Sequence, residues 1–181
     1  LFNNYITQIT NSAYSRQQLN LYTRMCNPLG HLTSKDSINE QFQNMIHGLS
    51  ATDHTRPETK ELAVNNITNF LQTADTYTKH LEEMKIQIAS DMKTDVEKLN
   101  EYIKTLSEIN TKLNGNHDDN PSNFSLLDAR DLIIKEASTI LDINLKTSPN
   151  GQVDISINST SGAIMLVNHT GEYAQIQNIT T

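Results

Sequence analysis

Tryptophan is absent from this 181-residue chain, cysteine occurs once, and aromatic residues make up only 6% of it. Large aromatic side chains are the usual filling of a thick globular centre, so a thin core between elongated elements is expected instead. The lone Cys26 excludes an intrachain disulfide and a paired-thiol metal site, and it leaves the compartment unread. Runs of Lys or Arg are also missing. Fourteen basic and 21 acidic residues are interspersed to a net charge of −7, which argues against nucleic acid and membrane surfaces as partners. The longest strictly apolar run, Ala163 to Val167, is too short to cross a bilayer, and no secretory-type leader opens the chain. The first residue is Leu1 rather than Met, which reads as an internal fragment whose true ends are missing.

Glycine and proline are scarce as well, six and four in all, and none falls between Glu58 and Asn114. Through most of that stretch apolar residues recur at three- and four-residue steps, which predicts one helix over about 56–114. Unbroken, it would reach about 85 Å, too long for a compact ball, so its stripe is expected to lie against other long helices. Thr55 and Glu58 have the capping-box spacing, and Pro57 is tolerated in a first turn. The stripe runs Ile67, Phe70, Ala74, Tyr77, Leu81, Met84 and Ile88, then Met92, Val96, Leu99, Ile103, Leu106, Asn110 and Leu113. Leu81, Ile88, Leu99, Ile103 and Leu106 are expected to hold the rod. The eleven-residue step from Ile88 to Leu99 is a stutter in the heptad pattern. Asn110, a polar residue in the seam, is of the kind that fixes register, but near the helix end it is expected to be solvated.

Shorter helices flank this one. Residues 2–27 predict a first helix with Phe2, Tyr5, Ile9, Leu19, Tyr22 and Cys26 near one face, interrupted by Ser12 and Arg16 and ended at Asn27-Pro28-Leu29-Gly30. A second, 37–49, starts at Ser37 with Glu40 completing a capping box, turns Ile38, Phe42, Met45, Ile46 and Leu49 inward, and closes at Gly48 and the Ala51 to Arg56 segment. After a turn-rich loop, Asn114 to Pro121, a further helix over 125–141 is expected to be capped by Ser125 and Asp128. Leu126, Leu127, Ile133, Ile134, Ala137, Ile140 and Leu141 surround much of it.

The period then falls to two. Ile143, Leu145 and Thr147, the turn Pro149-Asn150-Gly151, and Val153, Ile155 and Ile157 predict a β-hairpin, with further strands at Ala163 to Val167 and Tyr173 to Ile176. So small a sheet buries little alone and is expected to open a larger β domain. The fold class is therefore mainly α with C-terminal β: a helical rod domain, 1–141, as an elongated antiparallel bundle, and a partial antiparallel β domain, 142–181.

Chemistry-bearing constellations are lacking. The histidines at 31, 47, 54, 80, 117 and 169 make no paired ligand spacing, and His117-Asp118-Asp119 lacks the alternating oxygens and closing Glu of an EF-hand. Ser50 with Asp53-His54 has triad ingredients without a nucleophile elbow, and no glycine-rich phosphate loop occurs. No catalytic, cofactor-binding or metal residue is assigned, and no enzyme is expected. Sequons at Asn66, Asn123, Asn158, Asn168 and Asn178 reflect the abundance of Asn and Thr. Ala13-Tyr14-Ser15-Arg16-Gln17 is near the "GYSRQ" signature of flagellar axial proteins, but without its Gly or the preceding Asn-Thr-Pro, and is read as accidental.

A family pattern does appear across most of the chain. Leu126-Leu127-Asp128-Ala129-Arg130-Asp131, followed by Glu136 and Ser138, is similar to the "LLDQRD" and "ELS" of flagellar hook-associated protein 1, the hook-filament junction protein family. Val96, Leu99, Asn100, Ile103, Leu106 and Asn110 resemble its "V..IN..I..LN". Asn150-Gly151-Gln152-Val153 and Leu166-Val167 fit its hairpin. Ala129 in place of Gln, Asn123-Phe124 in place of Pro-Asn, and Lys60 near a usual Arg depart from the pattern. The resemblance implies a non-enzymatic structural subunit of the bacterial flagellum, an adaptor at the hook-filament junction. It would be exported by the flagellar type III path without a cleaved signal and so be extracellular, assembling into a ring that meets the hook protein and a second junction protein. A fragment lacking the terminal helices would be monomeric. In this motif Leu126-Leu127 would be buried, and Arg130 would bridge carboxylates on adjoining helices. The alternative is another helical secreted scaffold, a type III translocator or a phage tail structural protein.

Overall fold

The computed structural model describes residues 1–29, 37–50, 55–115 and 122–177. Its elements are α1 (Phe2–Leu29), α2 (Ile38–Leu49), α3 (Pro57–Gly115), α4 (Ser122–Ser138), β1 (Asn144–Thr147), β2 (Val153–Ser159) and β3 (Gly162–Val167). The mainly helical class, the one very long helix and the small C-terminal antiparallel sheet are as the sequence predicts. By packing, residues 1–17 and 90–181 form one compact unit and residues 18–89 another.

Helix boundaries follow local chemistry, with corrections at the start of α4 and at Gly48. Pro57 opens α3, where its missing donor costs nothing. α1 ends at Leu29, within the expected Asn27 to Gly30 stretch, and the expected cap at Gly30 lies outside the described residues. α4 begins at Ser122, so Ser125 lies in its first turn and is not the cap. The Asn114 to Pro121 turn falls mostly outside the described residues.

In the unit of residues 18–89, Ser37 caps α2 as expected, its Oγ accepting from the Glu40 N–H at 3.2 Å. Gly48 does not close the helix. It is buried within α2, and a Cβ there would stand 3.2 Å from the Ala63 Cα of α3, so its missing side chain lets two backbones approach. Asn66 fastens the contact by donating to the Asn44 carbonyl at 2.9 Å, and the Phe42 and Phe70 rings meet at 5.7 Å. Because the helices close through Gly48 and Ala63, the bulkier Phe42, Ile46 and Leu49 stay partly exposed instead of turning inward.

The other unit holds the main core. Ile6, Ile103, Leu106, Ile134, Ile143, Val153, Ile155, Leu166 and Val167 form one buried cluster, with Phe2, Ile9, Ile133, Leu141, Leu145, Ile157 and Ile176 packed against it. The inward face of α1 is thus Phe2, Ile6 and Ile9, spaced four and three apart; Tyr5, Leu19 and Tyr22, expected on that face, are exposed. The seam of α3 is buried at Leu99, Ile103, Leu106, Ile109, Asn110 and Leu113. Leu81 and Met92, expected in the same seam, are more than half exposed. Heptad spacing marks a stripe that could be covered, and burial follows only where a second element lies on it.

The sheet has the order β1-β2-β3, all antiparallel. The expected turn closes the first hairpin: Ser148 and Gln152 are bonded across it, and Gly151 at φ +86° supplies the conformation that L side chains rarely adopt. A register shift between Ile155 and Ser156, across which β3 advances two residues against one of β2, leaves Leu166 as the extra residue of a bulge on β3. The expected fourth strand is not formed. Only Val167 and Tyr173 make a bridge, after which the chain leaves the sheet.

These burials separate the seam residues energetically. Leu106→Ala, at a site 1% exposed, is expected to lose about 2–5 kcal/mol, while Leu81→Ala on the exposed part of the stripe loses less than about 1 kcal/mol. Chemical denaturation of the two variants measures the contrast.

Candidate functional site

A row of polar side chains on α3 meets the C-terminal segment. Asn100, Ser107, Asn110 and Asn114 fall at steps of seven, three and four, which keeps them on neighbouring faces of one helix. All four engage main-chain groups. Asn100 receives the Ile176 N–H at 2.8 Å and donates to the Ile176 carbonyl at 2.9 Å. Ser107 Oγ donates to the Gly171 carbonyl, and Asn114 Nδ2 to that of His169 at 3.2 Å.

Asn110 is the centre of the row. It is 0% exposed, its Nδ2 donates to the Val153 carbonyl at 2.8 Å and the Asn168 carbonyl at 2.7 Å, and its Oδ1 accepts from the Val153 N–H at 3.0 Å. The expectation of a solvated Asn110 is therefore corrected. The β segment folds over this end of α3, and a buried amide there persists because its bonding groups are paired.

Gly171 shows how closely the turn at 168–172 approaches. Its φ is +96°, and a Cβ would collide with Thr111 Oγ1 and lie 3.2 Å from the Ser107 carbonyl. Asn168 organises the same turn by accepting from the Glu172 N–H at 2.8 Å and from Thr170. Asp154 of β2 pins it from the other side, its Oδ1 receiving the His169 main-chain N–H at 2.6 Å and standing 2.9 Å from His169 Nδ1. Burial works to raise the Asp154 carboxyl, but the hydrogen bonds from His169, with the charges of His169 and Lys146, outweigh it and hold the group below its ordinary 3.8.

The Leu126 to Asp131 motif forms the second grip. Arg130 donates to the Gly151 carbonyl at the hairpin turn and is held by Asp131 Oδ1, 2.8 Å from its Nε. Leu127 abuts the same glycine. Among the described residues Arg130 thus ties α4 to the hairpin turn instead of bridging carboxylates on adjoining helices. Its ion-pair partner among them is Asp131, which adjoins it in sequence, and its Nη1 faces the Gly151 carbonyl.

Elsewhere the ionisable groups stay scattered. His31, Asp53, His54, His117, Asp118 and Asp119 lie outside the described residues; Ser50 serves as the C-cap of α2. Among the described residues no three of His, Cys, Asp and Glu are placed to share a metal ion. A recess of about 460 Å³ is lined by Gln41, Asn69, Gln72, Thr73, Thr76, Tyr77 and His80. Amides and hydroxyls dominate it. No helix among the described residues is long and apolar enough to cross a membrane. Asn100 and Asn110 were visible in the sequence as part of a pattern, without any sign that main chain would cover them.

Two measurements test the junction. Asn110→Leu leaves the Val153 and Asn168 groups without their partner and is expected to cost about 2–4 kcal/mol in urea denaturation, against less than about 1 kcal/mol for Thr105→Ala on the exposed face of the same helix. The Asp154 carboxyl, lower in the folded than in the unfolded chain, stabilises the fold above its ordinary value of 3.8 and ceases to as pH falls through the lower folded value. Asp154→Asn is expected to flatten that acid limb of the stability-pH curve.

The comparisons agree with this architecture. The Flagellar hook-associated protein FlgK helical domain matches residues 24–179, a span that holds all of α2, α3 and α4, the sheet, and both grips just described. No curated protein matches the chain. With the resemblance of its Leu126 to Asp131 corner and its hairpin borne out over that span, the chain belongs to the flagellar hook-associated protein FlgK family and is a structural component of the flagellum.

Proposed function

We propose that the chain is the helical part of an adaptor at the hook-filament junction, matching two mechanically different polymers by packing and without catalysis. The family match over residues 24–179 carries this reading. The fastened junction supports it: a joint under load needs its β segment fixed to its helices, and four polar side chains of α3 with Arg130 of α4 do this through the main chain. In this reading residues 1–141 are the helical rod domain, and residues 142–181 open a larger β domain facing outward. The subunit forms a ring with its own copies, meets the hook protein below and a second junction protein above, and reaches the cell exterior through the flagellar type III path with no cleaved signal.

Deleting the gene in the parent bacterium is expected to leave hooks without attached filaments, restored by the full-length gene. Immunogold against this domain should label a single band at the hook-filament boundary. Label distributed along the filament, or filaments formed normally in the deletion strain, would overturn the junction role while leaving the family membership intact.

A further inference from the structure

Asn-Gly occurs twice in the chain, at Asn114-Gly115 and at Asn150-Gly151. An asparagine followed by glycine is prone to lose its amide without an enzyme, because with no Cβ on the next residue the following main-chain nitrogen can close on the side-chain carbonyl. Sequence alone gives the two pairs the same standing. Both asparagines are exposed, so access to water does not separate them either. Their hydrogen bonding does.

Asn114 is held at both ends of its carboxamide. Its Nδ2 donates to the His169 carbonyl at 3.2 Å, its Oδ1 accepts from Gln152 Nε2, and its main chain belongs to the last turn of α3. Swinging its side-chain carbonyl carbon onto the Gly115 nitrogen would break both bonds and unwind the helix end. Asn150 has none of these restraints. Its side chain makes no hydrogen bond among the described residues, and it lies in the turn between β1 and β2. One bond stands in the way: the Gly151 N–H donates to the Ser148 carbonyl at 2.9 Å and must leave it before its nitrogen can attack.

We propose that Asn150 is a site of spontaneous deamidation, and that its conversion loosens the contact between α4 and the hairpin turn. The Gly151 nitrogen bonds to the Asn150 side-chain carbonyl carbon and gives its proton to solvent; the bond from that carbon to Nδ2 breaks, and the nitrogen leaves as ammonia. Water then opens the cyclic imide at one carbonyl or the other, leaving either aspartate or an isoaspartyl linkage in which the main chain runs through the former side chain. Water is the only co-reactant. The isoaspartyl product lengthens the main chain by a methylene immediately before Gly151. That glycine has no slack to absorb it, because Leu127 occupies the place a Cβ would take and Arg130 donates to its carbonyl.

Ageing the 181-residue chain in mildly alkaline buffer, followed by peptide mapping with mass spectrometry, tests the site. In the folded chain Asn150 is expected to lose ammonia about tenfold faster than Asn114, because only the opening of one exposed turn gates it. In concentrated urea the two rates should converge. Equal rates in the folded chain, or the same difference in urea, would overturn the assignment. The loosening is read by NMR on the isoaspartyl form after chromatographic separation. The contact between the Leu127 methyl protons and the Gly151 α-protons should be lost there and kept in Asn150→Asp, which carries the same added charge without the extra methylene. Its persistence in the isoaspartyl form would overturn that part of the proposal.

Discussion

Much of the larger unit depends on one buried amide. Asn110 sits where α3, β2 and the turn at 168–172 converge, and at that point both main-chain groups of Val153 and the carbonyl of Asn168 are turned toward the helix. Apolar side chains could fill the volume but could not pair those groups, and an unpaired peptide group removed from water costs more than a typical hydrogen bond returns. A carboxylamide carries a donor pair and an acceptor on one planar head. That is the combination the site demands. Leu106, Leu113 and Ile109 supply apolar burial on the same stretch of helix. The amide sets which residue of the sheet stands there.

The same logic recurs at smaller scale. At Ile176 a second amide, Asn100, takes both groups of one residue. At Gly171 and Gly151 the chain comes so close to Thr111 and to Leu127 that a Cβ could not be accommodated, and each glycine carbonyl accepts a side-chain donor, Ser107 for one and Arg130 for the other. Close approach and carbonyl capture occur together because a carbonyl presented at the surface of a tight turn is within reach of a neighbouring element.

What the sequence made legible were the features with local causes. The extent of α3 follows from missing Gly and Pro, the Ser37 cap from its spacing to Glu40, and the hairpin from alternation around Pro149-Asn150-Gly151. The misses have tertiary causes. Gly48 looks like a terminator until Ala63 of α3 is placed against it, and Leu81 looks like Leu106 until one is covered and the other is not. Asn110 is indistinguishable by pattern from a solvated polar residue in a fading stripe, because its partners lie 43 and 58 positions later in the chain. The family resemblance supplied the neighbourhood of Asn100 and Asn110, but no pattern states what a side chain bonds to.

That the row on α3 binds peptide groups has a consequence for variation. A contact made with N–H and C=O is blind to side-chain identity, since every residue but proline offers both. The segment from Gln152 to Ile176 could therefore exchange many of its outward-facing side chains without loosening its seat, provided glycine stays at positions 151 and 171. Such a mount lets the β segment be remodelled while the helical support is kept unchanged.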